Sequence, residues 1–126
     1  MLKNTKAFSS FSVNDLDKAE DFYSKTLGLD VQKEDMGILS VHTGGGTFMI
    51  YPKDDHKPAT YTVLNFPVSD IEKVVGSLKA KGVTFEQYDQ PQLKTDADGI
   101  ARQDHGNMAW FKDPAGNVLG VMEEQK

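Results

Sequence analysis

Phe11-Ser12-Val13-Asn14-Asp15-Leu16-Asp17-Lys18 and Phe66-Pro67-Val68-Ser69-Asp70-Ile71-Glu72-Lys73 are one phrase written twice, fifty-five residues apart (15 to 70), and that repetition decides the fold. Each copy closes a short strand pattern and opens a helical one, and the helical patterns stop at Gly28 and Gly82, nearly the same offset on. Glycine at such a stop supplies the left-handed conformation that ends many helices. Two half-folds that each leave an apolar sheet face exposed must combine, so the duplication predicts a seam with a pocket.

Working outward from the first copy, Ser9, Phe11 and Val13 share one face of a strand and Phe8, Ser10 and Ser12 the other. Asn14 is placed to cap the following helix, whose apolar stripe is Leu16, Ala19, Phe22, Tyr23, Thr26 and Leu27. Three short strands are predicted next, Leu29 to Lys33, Ile38 to Thr43 and Thr47 to Tyr51, separated by Met36-Gly37 and by Gly44-Gly45-Gly46. Their close spacing predicts an antiparallel meander. The polar stretch Asp54 to Ala59, with Pro58, reads as the link between halves.

The second copy repeats the plan. Thr60 to Val68 reads as a strand, Ser69 with Glu72 as a capping box, and Ile71, Val74, Val75 and Leu78 as the helix stripe. Val83 to Tyr88, Asn107 to Lys112 and Val118 to Glu123 are the matching strands, the last two joined by a turn at Asp113-Pro114-Ala115-Gly116-Asn117. The last strands repeat at an offset of 71 (Thr47 and Val118) rather than 55, which places roughly fifteen extra residues in Asp89 to Gly106. A loop that long is either a lid or binding loop, or a surface excursion.

The totals restrict the function. With 38% hydrophobic and 26% charged residues, the 126-residue chain has the composition of an ordinary globular domain, and its length suffices to bury about two-thirds of the unfolded surface. Cysteine is absent, which excludes disulfides, thiolate nucleophiles and Cys-based metal sites. The net charge of -5 and a single arginine, Arg102, give no basic face for nucleic acid. No run is apolar enough to cross a bilayer and Met1 to Lys6 is not an export signal, so a cytoplasmic location without membrane partners is expected.

Tandem strand-helix-three-strand units, with Val13-Asn14-Asp15-Leu16-Asp17-Lys18-Ala19 leading to Phe22-Tyr23, Leu27-Gly28-Leu29 and a closing Trp110-Phe111-Lys112-Asp113-Pro114-Ala115-Gly116-Asn117, resemble the vicinal oxygen chelate superfamily over essentially the whole chain. That family contains glyoxalase I, extradiol dioxygenases, fosfomycin resistance enzymes and bleomycin resistance proteins. The resemblance implies an α+β fold, a single domain over 1–126 whose βαβββ modules (about 5–53 and 60–124, linked by 54–59) form an open, curved mixed-sheet cup with helices on the convex side. It also implies a homodimer.

Metal-dependent members hold a divalent ion in the cup through His, Gln or Glu, and the ion acts as a Lewis acid on two adjacent substrate oxygens. Register carries those ligand positions onto Phe8, Val63, Gly120 and Tyr51, with Ile50 the alternative to Tyr51. Three of the four side chains offer no donor atom, so no metal and no other cofactor is expected. Candidates for chemistry are His42, which either faces the cup or is a hydrogen-bonded structural histidine; Glu86, an inward base or a rim carboxylate; and His105, in the long loop, an acid or base or simply exposed. His56, in the link, reads as a solvated surface residue, and no serine has a convincing triad context.

Strand alternation assigns Phe8, Ser10, Ser12, His42, Met49, Tyr51, Asn65, Trp110 and Met122 to the cup as ligand-binding residues. That mixture of apolar, aromatic, hydroxyl and amide groups suits a small-molecule pocket, or else simply fills a core seam. The function expected is binding of a small aromatic or amphipathic molecule without the usual metal. The alternative is a metal-dependent lyase or dioxygenase of the glyoxalase type with displaced ligands, or a metal-independent isomerase using one of the three candidates.

Overall fold

The computed structural model describes residues 1–124, which fall into two compact units, Met1–Lys57 and Pro58 onward. In the first, β1 (Ser10–Val13) leads to α1 (Leu16–Asp21), which widens into a π-helical turn at Phe22–Thr26, and the chain then runs through β2 (Asp30–Lys33), β3 (Leu39–Thr43) and β4 (Gly46–Pro52). The sheet order is β1-β4-β3-β2, with β1 parallel to β4 and the rest an antiparallel meander, as predicted. The second unit has β5 (Thr62–Pro67), α2 (Ile71–Ala80), the two-residue strands β6 (Asp89–Gln90) and β7 (Leu93–Lys94), β8 (Ile100–Gln103), β9 (Gly106–Lys112) and β10 (Val118–Glu124). Its main sheet is ordered β5-β10-β9-β8, again mixed and open.

Each unit buries one sheet face beneath its helix. Leu39, Val41, Phe48 and Ile50 are buried in the first, together with Tyr23 from the π-helical turn. The Phe11 ring stacks on Phe48 at 5.7 Å and tilts against Tyr23 at 6.1 Å. In the second unit Ala109, Phe111, Leu119 and Val121 are buried with Ile71 and Val75 of α2. Phe85 meets Phe111 edge-on at 5.4 Å.

The two helix starts are copies in geometry as well as sequence, but the caps are one residue later than expected. Asp15 and Asp70, with φ near -140° in both, accept from the N–H of Lys18 and Lys73. Neither Asn14 nor a Ser69 capping box serves, because the carboxylate sits at the residue where the backbone is still extended, the position from which it reaches the N–H three residues on. In the second unit Glu123 adds a tie: one oxygen accepts from the N–H of Ile71 at 2.8 Å and the other from Asn107 Nδ2 at 2.9 Å.

The extra residues of the second unit lie elsewhere than predicted. The segment 83–88 is not a full strand; it makes a single bridge, Phe85 opposite Phe111, and the Glu86 N–H donates to the Trp110 carbonyl. The chain then leaves the sheet and returns as β8, where Ile100 pairs with Ala109 further along the same edge of β9. One strand position is thus split by an excursion, 87–99, that folds its own β6-β7 hairpin. Asp89 to Gly106 is therefore not one loop: β8 and the first residue of β9 belong to the sheet.

Gly99 closes the excursion with φ +89°, and a Cβ there would lie 2.8 Å from Phe85 Cβ. Asp96 shapes the approach, accepting at one oxygen from the N–H groups of Asp98 and Ile100 and at the other from Arg102 Nε. The Arg102 guanidinium also reaches Glu72 of α2 at 2.8 Å. The backbone N–H of Ile100, with further help from Asp98 and Arg102, holds the Asp96 carboxyl below its ordinary value.

Candidate functional site

On the first sheet, the face opposite α1 is polar. Ladder pairing places Ser10 beside Met49, Met49 beside Ser40, and Ser40 beside Gln32 in one row. Thr47, His42 and Asp30 make the next row on one side, and Ser12 pairs with Tyr51 on the other. The residues predicted for this face, Ser10, Ser12, His42, Met49 and Tyr51, all stand on it. Phe8 does not join a strand; it precedes β1 and is 65% exposed.

His42 is held at both ring nitrogens. Ser40 Oγ donates to Glu34 Oε1 at 2.7 Å, which leaves its lone pair to receive His42 Nε2 at 3.4 Å, while Thr47 Oγ1 lies 2.9 Å from Nδ1. Because the Ser40 proton is committed to Glu34, the network assigns the proton of neutral His42 to Nε2 and makes Thr47 the donor to Nδ1. His42 thus stands on the helix-free face and is hydrogen-bonded by the protein.

His56 is half-buried rather than solvated, with Nδ1 2.6 Å from Ser12 Oγ. No local pattern foretells this, since the partner is 44 residues away. Nearby, Lys53 and Asp55 form an ion pair whose hydrogen bond raises the ammonium pKa and lowers that of the carboxyl.

The second sheet presents a different surface on its helix-free face. Asn65 pairs with Gly120 and Gly120 with Trp110; Pro67 pairs with Met122 and Met122 with Met108. Trp110 is 9% exposed, and Tyr88, carried in by the excursion, meets it edge-on at 5.5 Å. A Cβ on Gly120 would fall 2.9 Å from Asn65 Oδ1 and 3.5 Å from Trp110 Cδ1, so the missing side chain is what admits the amide beside the indole. The predicted Asn65, Trp110 and Met122 are brought together here, and alternation from Glu86 would have added Tyr88.

The family ligand positions split between the units. Phe8 and Tyr51 lie in the first, Val63 and Gly120 in the second. Val63 falls at a β-bulge, where pairing jumps from Val118–Thr62 to Leu119–Leu64. Counting by twos cannot register a bulge, and the methyl of Thr62 approaches Gly120. Among the described residues no group of three or more His, Asp or Glu gathers in a form that could hold a metal ion.

Glu86 is ion-paired with Lys112 at 3.5 Å at a partly exposed position. His105 sits exposed in the two-residue turn between β8 and β9, not in a closing loop, because the residues before it belong to a strand.

Comparison with known proteins places this geometry. A family model described as Glyoxalase/Bleomycin resistance protein/Dioxygenase superfamily matches residues 8–121. No curated protein matches. Among solved structures, a glyoxalase family protein from Bacillus anthracis has a TM-score of 0.72 at 19% identity, covering 99% of this chain and 100% of its own. An antibiotic binding protein, TnmS3 from Streptomyces sp. CB03234, has a TM-score of 0.69 at 24% identity, covering 97% and 98%. The fosfomycin resistance protein FosX from Listeria monocytogenes has a TM-score of 0.73 at 16% identity, covering 99% and 96%. At these identities the likeness is one of fold. No helix among the described residues is long and apolar enough to cross a membrane.

Proposed function

Because the chain belongs to the Glyoxalase/Bleomycin resistance protein/Dioxygenase superfamily, we propose that it is a metal-independent member that binds a small aromatic or amphipathic compound against Trp110. The observation that carries this reading is the corner made by Trp110, Tyr88, Asn65 and Gly120: two aromatic rings at right angles, an amide beside them, and no side chain on the strand position between. A planar ligand gains ring contacts there worth about 0.5–1.5 kcal/mol per aromatic pair beyond area burial. The Asn65 amide supplies one donor and one acceptor for orientation, and Met108 and Met122 adapt to irregular outlines.

Of the four family ligand positions, Phe8 and Gly120 offer no donor atom, the third falls on Val63 or, counted across the bulge, on Thr62, and neither that hydroxyl nor the Tyr51 phenol suits a divalent ion. A ligand of natural-product antibiotic type accords with the fold likeness to an antibiotic binding protein. We also read the protein as a homodimer, as the family resemblance implies.

Titration with planar hydrophobic compounds, followed by Trp110 fluorescence and calorimetry, is expected to show saturable quenching, with Asn65→Ala and Gly120→Val each weakening binding at least fivefold. Metal analysis of protein purified without chelators separates the competing class. A stoichiometric ion, with no quenching by any aromatic probe, overturns sequestration in favour of a glyoxalase-type lyase or dioxygenase. Light scattering at tens of micromolar checks the dimer, and a monomeric mass refutes it.

A further inference from the structure

The geometry points to a second chemical centre on the first unit: we propose that Ser12 is a nucleophilic hydroxyl activated by His56, able to take an acyl group from small activated carboxylic esters. This goes beyond ligand binding at Trp110 and depends on none of the residues of that corner.

Three observations converge. Ser12 Oγ and His56 Nδ1 are 2.6 Å apart, the separation of a strong O–H···N hydrogen bond, and both residues are half-buried. With the ring proton on Nε2, Nδ1 accepts the serine proton, the arrangement in which a histidine raises the nucleophilicity of a hydroxyl. Secondly, Ser12 stands on the sheet face that α1 leaves uncovered, and its partner across the β1-β4 ladder is Tyr51, a partly exposed phenol whose O–H is of the type that stabilises a developing oxyanion.

The third observation comes from the duplication. Ser12 pairs with Tyr51 at the register where the second unit pairs Pro67 with Met122, one residue beyond the matched pairs Phe11–Ile50 and Phe66–Val121. The scaffold builds this corner equally well from residues without a titratable group. A serine-histidine pair here is not required by the fold.

The step balances without a further reagent. Ser12 Oγ adds to the ester carbonyl as its proton passes to His56 Nδ1; the carbon-oxygen bond to the leaving group breaks, and the imidazolium returns the proton to the departing alkoxide. Water then cleaves the acyl-serine by the same route in reverse, with His56 taking the proton from water.

The test is covalent labelling of the full chain by phenylmethylsulfonyl fluoride and turnover of p-nitrophenyl acetate, read by intact mass, peptide mapping and burst kinetics. One sulfonyl group per chain on Ser12 is expected, with labelling slowed at least tenfold in His56→Gln. No label on Ser12 in folded protein, label on other residues only, or an unchanged rate in His56→Gln overturns the proposal. Ser12→Ala is expected to lose both the label and the burst, and retention of either overturns the proposal; should it not fold, Ser12→Cys replaces it. Its thiol is expected to react with iodoacetamide at least tenfold faster with His56 present than in the Ser12→Cys, His56→Gln double variant, and equal rates overturn the proposal. Quenching of Trp110 by aromatic ligands, measured on the same samples, reports separately on the binding corner.

Discussion

The two sheets of this protein were copied from one plan and have kept one face while changing the other. On the helix side, Phe11 and Ile50 answer Phe66 and Val121 at the same register, and both sets lie in the layer beneath the helix. On the helix-free side, Ser10–Met49 answers Asn65–Gly120, Ser12–Tyr51 answers Pro67–Met122, and Ser40 answers Trp110. The first sheet thus displays hydroxyls and an imidazole where the second displays an indole and an amide. Packing fixes the shared face, because a buried layer tolerates few changes of volume. The other face is free to take on chemistry, and the two copies have done so differently.

This contrast is sharpened most strongly by large-to-small substitutions. Phe111→Ala should cost about 3–5 kcal/mol and Leu39→Ala about 2–5 kcal/mol, by chemical denaturation, whereas Ser10→Ala on the opposite face should stay within about 0.5 kcal/mol. An equal cost on both faces breaks the distinction between them.

Next in size is the turn before β10. Asp113 is buried and its carboxylate accepts from the N–H groups of Ala115 and Asn117 and from Asn117 Nδ2. Asp113→Ala removes these three hydrogen bonds to a carboxylate and should cost about 2–3 kcal/mol in thermal or denaturant unfolding. Gly99→Ala should cost at least about 1–2 kcal/mol from the positive φ alone, and more if Phe85 cannot move aside; a neutral result would sink the account of how the excursion closes.

Met122→Ala is expected to weaken aromatic-ligand binding about fivefold by calorimetry, roughly 1 kcal/mol, while Met49→Ala on the first sheet leaves it unchanged. The smallest effect concerns acid. Asp96 has a folded pKa below its unfolded one, so its contribution is complete above the unfolded value and is lost as pH falls through the folded value. The difference in Tm between the native chain and Asp96→Asn should therefore be widest at neutral pH and narrow steadily below about pH 4, the unperturbed aspartate range.

Much of this was legible beforehand because the repeat is written in residues with strong local meaning. Alternation around Phe11 and Val13, the helix stripe ending at Gly28, and the glycine-punctuated meander each carry their own period, and they put Ser10, Ser12, His42, Met49 and Tyr51 on one face correctly. Features that depend on counting across an irregularity were not legible. The bulge at Val63 shifted the register by one, and the excursion 87–99 mimicked a loop after a strand rather than a break within one. The caps moved from Asn14 and Ser69 to Asp15 and Asp70, since both neighbours in each pair are good capping types and only backbone geometry selects between them. The Ser12–His56 contact lay beyond sequence reasoning, because the link that carries His56 has no period from which a direction can be read.

The split edge of β9 has one more consequence. Phe85 and Ile100 dock on the same strand at either end of the departure, so everything from 87 to 99 is a cartridge that plugs into a fixed socket. Exchanging it for a short connector would leave the ladder whole while withdrawing Tyr88 from Trp110, and cartridges of other lengths would present other rings to the same indole. A lineage could change the surface beside Trp110 by swapping these thirteen positions, without renegotiating the core.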